Sequence, residues 1–169
     1  MSEIQRLDAR HADALLRFER DNRAYFARWV PDRGDAYFAG FAERHTALLA
    51  EQATGRCHFH VLVDDDGAVL GRFNLVDVAD GSAELGFRVA ERACGRGVAT
   101  DGVRRVIGLA RDAYGLRRLV ASAARDNAGS LGVLRRTGFS AVGAVLLDGR
   151  PGVRHVRELG CDEAGPPIG

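Results

Sequence analysis

The spacing of apolar residues changes period along the chain, and each change marks an element. A short strand is expected at residues 3–7. After it, Ala14, Leu15 and Phe18 recur at helical spacing among Arg, Asp and Glu, which predicts an amphipathic helix ending near Asp21-Asn22. The segment from Asn22 to Asp35 gathers Tyr25, Phe26, Trp29 and Pro31 without a regular period. Asp35 reads as the N-cap of a second helix, whose face carries Tyr37, Phe38, Phe41, His45, Leu48 and Leu49 until Gly55. At Cys57 the period becomes two. Residues 57–63 and 68–76 read as strands around the turn Asp64-Asp65-Asp66-Gly67, and residues 82–89 as a third strand after Asp80-Gly81. Val98, Val103, Val106, Ile107 and Ala110 return to helical spacing until Gly115. A strand at 118–123 follows, then a helix at 127–137 with Leu131 and Leu134 inward, and strands at 141–147 and 153–159 around Asp148-Gly149.

The order βαα-βββ-α-β-α-ββ predicts an α+β fold with a mixed, mostly antiparallel sheet flanked by helices. The strands before and after the stretch 90–97 must run parallel, because a helix connects them. Residues 1–160 fit one domain, and 161–169, with Pro166-Pro167, read as a flexible C-terminal tail.

Charge and cysteines narrow the partners. Net charge is +1, and all 24 basic residues are Arg, so no basic field for nucleic acid or membrane is indicated. Cys57, Cys94 and Cys161 are odd in number and lack C-x-x-C spacing, which points to reduced thiols and no zinc ribbon. Without an apolar leader or a membrane-length run, a cytoplasmic location is expected.

The turn Arg92-Ala93-Cys94-Gly95-Arg96-Gly97, with Val98-Ala99-Thr100 opening the next helix, carries the candidate chemistry. A helix N-terminus presents unpaired N–H groups and a positive dipole end, glycine admits an anion close to the backbone, and arginine adds charged donors. A Walker A loop would need a lysine, which this chain lacks, and a dinucleotide fingerprint would need a small residue where Thr100 stands. The remaining pattern, Arg/Gln-x-x-Gly-x-Gly/Ala, is matched and resembles the pyrophosphate loop of the GNAT superfamily of N-acetyltransferases. Asn127-x-x-Ser130-x-x-x-Leu134-x-x-x-Gly138-Phe139 is similar to the helix that closes over the cofactor in that family. Asn22-Arg23-x-Tyr25-Phe26-x-x-Trp29-x-Pro31 resembles the ribosomal-protein alanine N-acetyltransferase branch.

The resemblance implies acetyl-CoA as cosubstrate, without a metal, and direct transfer to an amine in a ternary complex. It places the cofactor against Phe87, Arg88 and Val89, the turn residues Arg92, Gly95, Arg96, Gly97, Val98, Ala99 and Thr100, and Asn127 and Ser130. Glu84 is the expected general base, with a solvent-facing strand position as the alternative. Ser130 is the expected acid to the leaving thiolate, with helix capping as the alternative. Asn22, Tyr25, Phe26 and Trp29 are the expected acceptor side, with core packing as the alternative for the aromatics. His58 and His60 lack a third metal ligand and read as solvent-facing or acceptor-site residues, His60 being a minor alternative base. Tyr114 reads as packing, and Cys94 lies at the pyrophosphate, away from the acetyl group. The acceptor is expected to be a protein N-terminal amine; a small amine, or a non-catalytic acyl-CoA-binding regulator, are the alternatives, and monomer and homodimer are both ordinary.

Overall fold

The strands are β1 (Glu3–Arg6), β2 (His58–Val63), β3 (Val69–Ala79), β4 (Ser82–Val89), β5 (Arg118–Ala124), β6 (Ser140–Leu147) and β7 (Arg150–Glu158). In this computed structural model, which describes residues 1–160, they form one sheet in the order β1-β2-β3-β4-β5-β7-β6. The expected tail, with Cys161, lies outside the described residues. Every neighbouring pair is antiparallel except β4 and β5, which are parallel as the helical crossover requires.

Two cores follow from the alternation. Helices α1 (Ala12–Asp21), α2 (Arg23–Phe26), α3 (Asp35–Ala39) and α4 (Phe41–Ala53) lie on one face. There Leu15, Phe18, Phe26 and Phe41 pack on Phe59, Val61 and Val69. Helices α5 (Val98–Asp112) and α6 (Ala128–Arg136) cover the other face, where Val103, Val106 and Leu134 meet Phe73, Leu85 and Leu119. Alternate residues of the strands thus face two helical layers, one on each side of the sheet.

The second predicted helix is corrected in three respects. It divides at Gly40 into α3 and α4, and residues 23–26 add a separate turn. Gly34, not Asp35, occupies the N-cap and makes no side-chain bond there. The reason lies in the partner: Asp35 is drawn into an ion pair with Arg23 at 2.9 Å, and Asp32 pairs with the same guanidinium at 2.8 Å.

His60 is also corrected. It is 1% exposed, on the α5 side of β2, remote from solvent and on the face opposite α1. Its Nδ1–H donates to Phe73 O at 3.1 Å, so Nε2 is the acceptor of the Tyr114 hydroxyl at 2.6 Å. Arg6 in turn donates to that hydroxyl at 3.0 Å and to His58 Nδ1 at 3.1 Å, while His58 stacks flat on the Tyr114 ring at 3.7 Å. Tyr114 is a packing and tethering residue at the end of α5.

The close approach of α5 to the sheet depends on one residue. A Cβ built on Gly102 would clash with the Phe73 ring. Any side chain there lifts the start of α5 off β3. Gly102→Ala is therefore expected to destabilise the fold by about 1–3 kcal/mol through overpacking, read as a lowered unfolding midpoint in urea; an unchanged midpoint would contradict the contact.

Burial pushes the His60 imidazole down to about 4 from an ordinary 6.5. Above pH 6.5 both folded and unfolded chains carry it neutral. Between pH 6.5 and 4 only the unfolded chain takes the proton, so stability falls across that window, by roughly 3 kcal/mol in total. His11 and His58 are also lowered by burial, so the comparison isolates His60. His60→Gln is expected to be less stable at pH 7 yet to lose less stability between pH 6.5 and 4; parallel curves would refute the assignment.

Candidate active site

The cleft begins where a parallel pairing stops. Strands β4 and β5 are matched at Ser82↔Arg118, Ala83↔Leu119 and Glu84↔Val120, and no further, although β4 stays paired with β3 as far as Val89. From Leu85 onward the edge of β4 that faced β5 is open. Backbone groups of Phe87 and Val89 face that edge, because Arg88 between them is turned to β3, and they can pair with an extended, amide-bearing ligand as a strand would. Because the two strands are parallel, the turns that follow them lie at the same end of the sheet: 90–97 after β4, and 125–127 after β5.

The first turn is shaped for an anion. A 3-10 turn, Glu91–Ala93, leads into Gly95 and Gly97, both at positive φ (76° and 73°) and both with open space where a Cβ would stand. The first backbone bond of α5 runs from Asp101 N to Gly97 O. Among the described residues, the N–H groups of residues 95–100 have no backbone acceptor, and they lie at the positive end of a fifteen-residue helix. A diphosphate fits this cradle in charge and in donor number. Arg96 is exposed beside it, and Arg92, also exposed, reaches Asp64 at 3.6 Å. The Thr100 hydroxyl is instead turned inward, where Arg136 donates to it at 3.4 Å.

The second turn supplies Asn127 and Ser130. Asn127 is the N-cap of α6, and its Oδ1 accepts from Ser130 N at 3.2 Å. That bond occupies the amide oxygen and leaves the half-buried Ser130 hydroxyl without a bond to another described residue.

Glu84 lies at the vertex, on the last β4–β5 pair, and is exposed on the side of the sheet that carries α1. The apolar Ala83 and Leu85 beside it point into the α5 core, as alternation requires.

The aromatic segment after α1 divides by role. Asn22 is corrected: it is 8% exposed, its Nδ2 donates to Phe18 O at 2.9 Å and its Oδ1 accepts from Glu91 N at 3.0 Å. Its amide therefore joins α1 to the start of the anion turn and is closed to an acceptor. Phe26 is also corrected to a core residue, packed on Phe18 at 5.3 Å with the Arg88 guanidinium 4.6 Å above its ring. Tyr25 and Trp29 remain half-buried, edge to face at 5.1 Å. The Tyr25 hydroxyl lies 2.9 Å from Cys94 Sγ, and burial, reinforced by that contact, pushes it up to about 12. On the other side, Arg150 donates to Arg28 O and to Asp126 Oδ2, both at 2.9 Å. Residues 25–29 thus form a strap over the mouth, fastened to the anion turn at one end and to the β5–α6 corner at the other.

Two residues of this region had no signal in the sequence. Glu19, 2% exposed, accepts from Arg72 at 2.8 Å and from Arg88 at 3.1 Å. Burial lowers the Arg88 guanidinium to about 10, Glu19 opposing, and it stays charged at neutral pH. Arg72 alternates with apolar neighbours on β3, and the docking of α1 on that face buries it. Among the described residues no group of three or more His, Cys, Asp or Glu is placed to hold a metal ion, and no helix is long and apolar enough to cross a membrane.

Known proteins share this arrangement. The family model of the acetyltransferase (GNAT) domain matches residues 3–140. The probable N-acetyltransferase YjcK of Bacillus subtilis is 24% identical over 142 residues, covering 80% of this chain and 78% of its own. The ribosomal-protein-S5-alanine acetyltransferase of Vibrio fischeri superposes with a TM-score of 0.87 at 20% identity, over 98% of this chain and 96% of that one. Mycobacterium smegmatis RimJ, in complex with CoA-disulfide, superposes with a TM-score of 0.82 at 24% identity, over 93% and 81%. With the parted strands, the open amide row and a domain match over most of its length, the chain belongs to the GNAT acetyltransferase family and is an N-acetyltransferase.

Proposed function

We propose that the chain transfers acetyl from acetyl-CoA to the α-amine of a protein N-terminus, in the cytoplasm, by direct attack in a ternary complex. The observation that carries this reading is the row of free N–H groups at residues 95–100, set where β4 has parted from β5. Acetyl-CoA supplies an activated thioester. The amides of Gly95 to Thr100, with Arg92 and Arg96, hold the diphosphate; the open β4 edge at Phe87 to Val89 aligns the pantetheine and donates to the carbonyl oxygen as negative charge develops there. Glu84 takes the proton of the incoming ammonium, directly or through water. The Ser130 hydroxyl gives a proton to the departing thiolate. The likeness to a ribosomal-protein acetyltransferase over 98% of the chain, and the Tyr25–Trp29 strap across the mouth, support an N-terminal residue as acceptor.

The test is release of free thiol from acetyl-CoA by the pure protein, offered N-terminal peptides beside a panel of small amines. Saturable turnover on peptides is expected; turnover on small amines alone would move the acceptor class, and acetyl-CoA binding without any turnover would make the chain a regulator. On the preferred acceptor, Glu84→Gln is expected to lower kcat by ~100-fold or more with acetyl-CoA affinity unchanged, and Ser130→Ala chiefly to lower kcat. An unaltered kcat and pH profile in Glu84→Gln would remove Glu84 as the base.

A further inference from the structure

Each of the chain's three asparagines occupies a structured position, but only two are bonded through their side chains. Asn22 is satisfied at both ends of its amide, and Asn127 caps α6. Asn74, in the middle of β3, makes no side-chain hydrogen bond to another described residue, and its Oδ1 is buried without a partner. Native proteins rarely retain an orphaned buried acceptor, because nothing replaces the water it gave up. Where one persists, a ligand that brings a donor is a natural reason.

The register places this amide beside the chemistry. Phe73 and Leu75 enter the α5 core, while Arg72 bonds to Glu19 of α1, so Asn74 faces the α1 side, the same side as Glu84. Three rows of β3–β4 follow one another there: Arg72↔Arg88, Asn74↔Gly86 and Val76↔Glu84. The first row is closed by Glu19. The middle row has only a hydrogen on the β4 side, and a Cβ built on Gly86 would meet no atom within 4 Å. A notch therefore lies opposite Asn74, between the buried arginines and Glu84, at the point where β5 has already left the edge of β4. Glu84 is the diagonal neighbour of Asn74, at a Cβ separation of about 7 Å, a span that one nitrogen or one water bridges.

We propose that Asn74 contacts the acceptor, its side-chain carbonyl accepting a hydrogen bond from the primary amine as that amine sits between Asn74 and Glu84. The inference rests on the acetyl-transfer reading above. Glu84 removes one proton from the ammonium; one N–H of the resulting neutral amine is held by Asn74. The freed lone pair is then turned away from β3, toward the thioester carbonyl; the C–N bond forms, the C–S bond breaks, the departing thiolate takes the Ser130 proton, and the nitrogen's second proton restores the Ser130 hydroxyl directly or through water. An amide suits this position better than a second carboxylate, because it orients the amine without holding it as ammonium.

Asn74→Leu replaces the amide by an apolar group of similar shape and separates a ligand-binding role from a structural one. If the amide is reserved for the acceptor, the free variant unfolds at the same or a higher temperature than the wild type, because an unsatisfied buried acceptor has been removed. Acetyl-CoA affinity by calorimetry stays within twofold, and kcat/KM for the amine used by the wild type falls at least ~10-fold, the scale of one lost hydrogen bond in a closed site. A clear drop in unfolding temperature, or kcat/KM retained within twofold, overturns the proposal, and Asn74→Ala gives the same ratio should the leucine variant not fold. A wild type that binds acetyl-CoA but acetylates no amine would fail the transfer reading; the unfolding comparison then still decides whether the Asn74 amide supports the fold.

Discussion

The separation of β4 from β5 beyond Glu84↔Val120 organises this molecule, because a sheet that stayed closed would leave no place for a ligand between its strands. Parallel pairing through three residues is enough to hold the two halves together, since β7 continues the sheet beside β5 and β3 continues it beside β4. What keeps the gap from becoming a disordered edge is the helix laid against it. Gly102 lets α5 settle on Phe73, and the same approach brings the helix's free N–H groups to the mouth of the gap. Packing and the presentation of free amides therefore share one cause.

On the opposite face the constraint is electrostatic. Arg72 and Arg88 both donate to Glu19 in a region from which water is largely excluded. A buried pair of this kind contributes little net stability, but removing one member would leave uncompensated charge, so the cluster specifies how α1 sits on β3 and β4. That placement sets Asn22 against the anion turn and carries Tyr25 to Cys94. The 25–29 strap and the glycine turn are thereby joined by short bonds.

Which side chains face the reaction was only partly legible. Strand alternation placed Glu84 away from the α5 core, as found, and the Asn-x-x-Ser spacing located the start of α6 with Asn127 as its cap. The segment 22–31 was legible as an aromatic cluster but not in its roles: Phe26 went to the core, and Asn22 to a backbone tether. His60 misled for one reason. On a strand covered on both faces, alternation tells which residues share a side but not which side is dry.

By itself the sequence determined the element order, the single parallel crossover and the glycine turn that presents amides to an anion, because these follow from local periodicity and from what glycine's backbone permits. It also narrowed the chemistry to a phosphate-bearing cofactor held without lysine. Only the tertiary structure decided the buried Glu19 cluster, the two fastenings of the 25–29 strap and the unpartnered Asn74 amide. Each of these depends on residues from distant parts of the chain meeting across the sheet, and no local pattern encodes such a meeting.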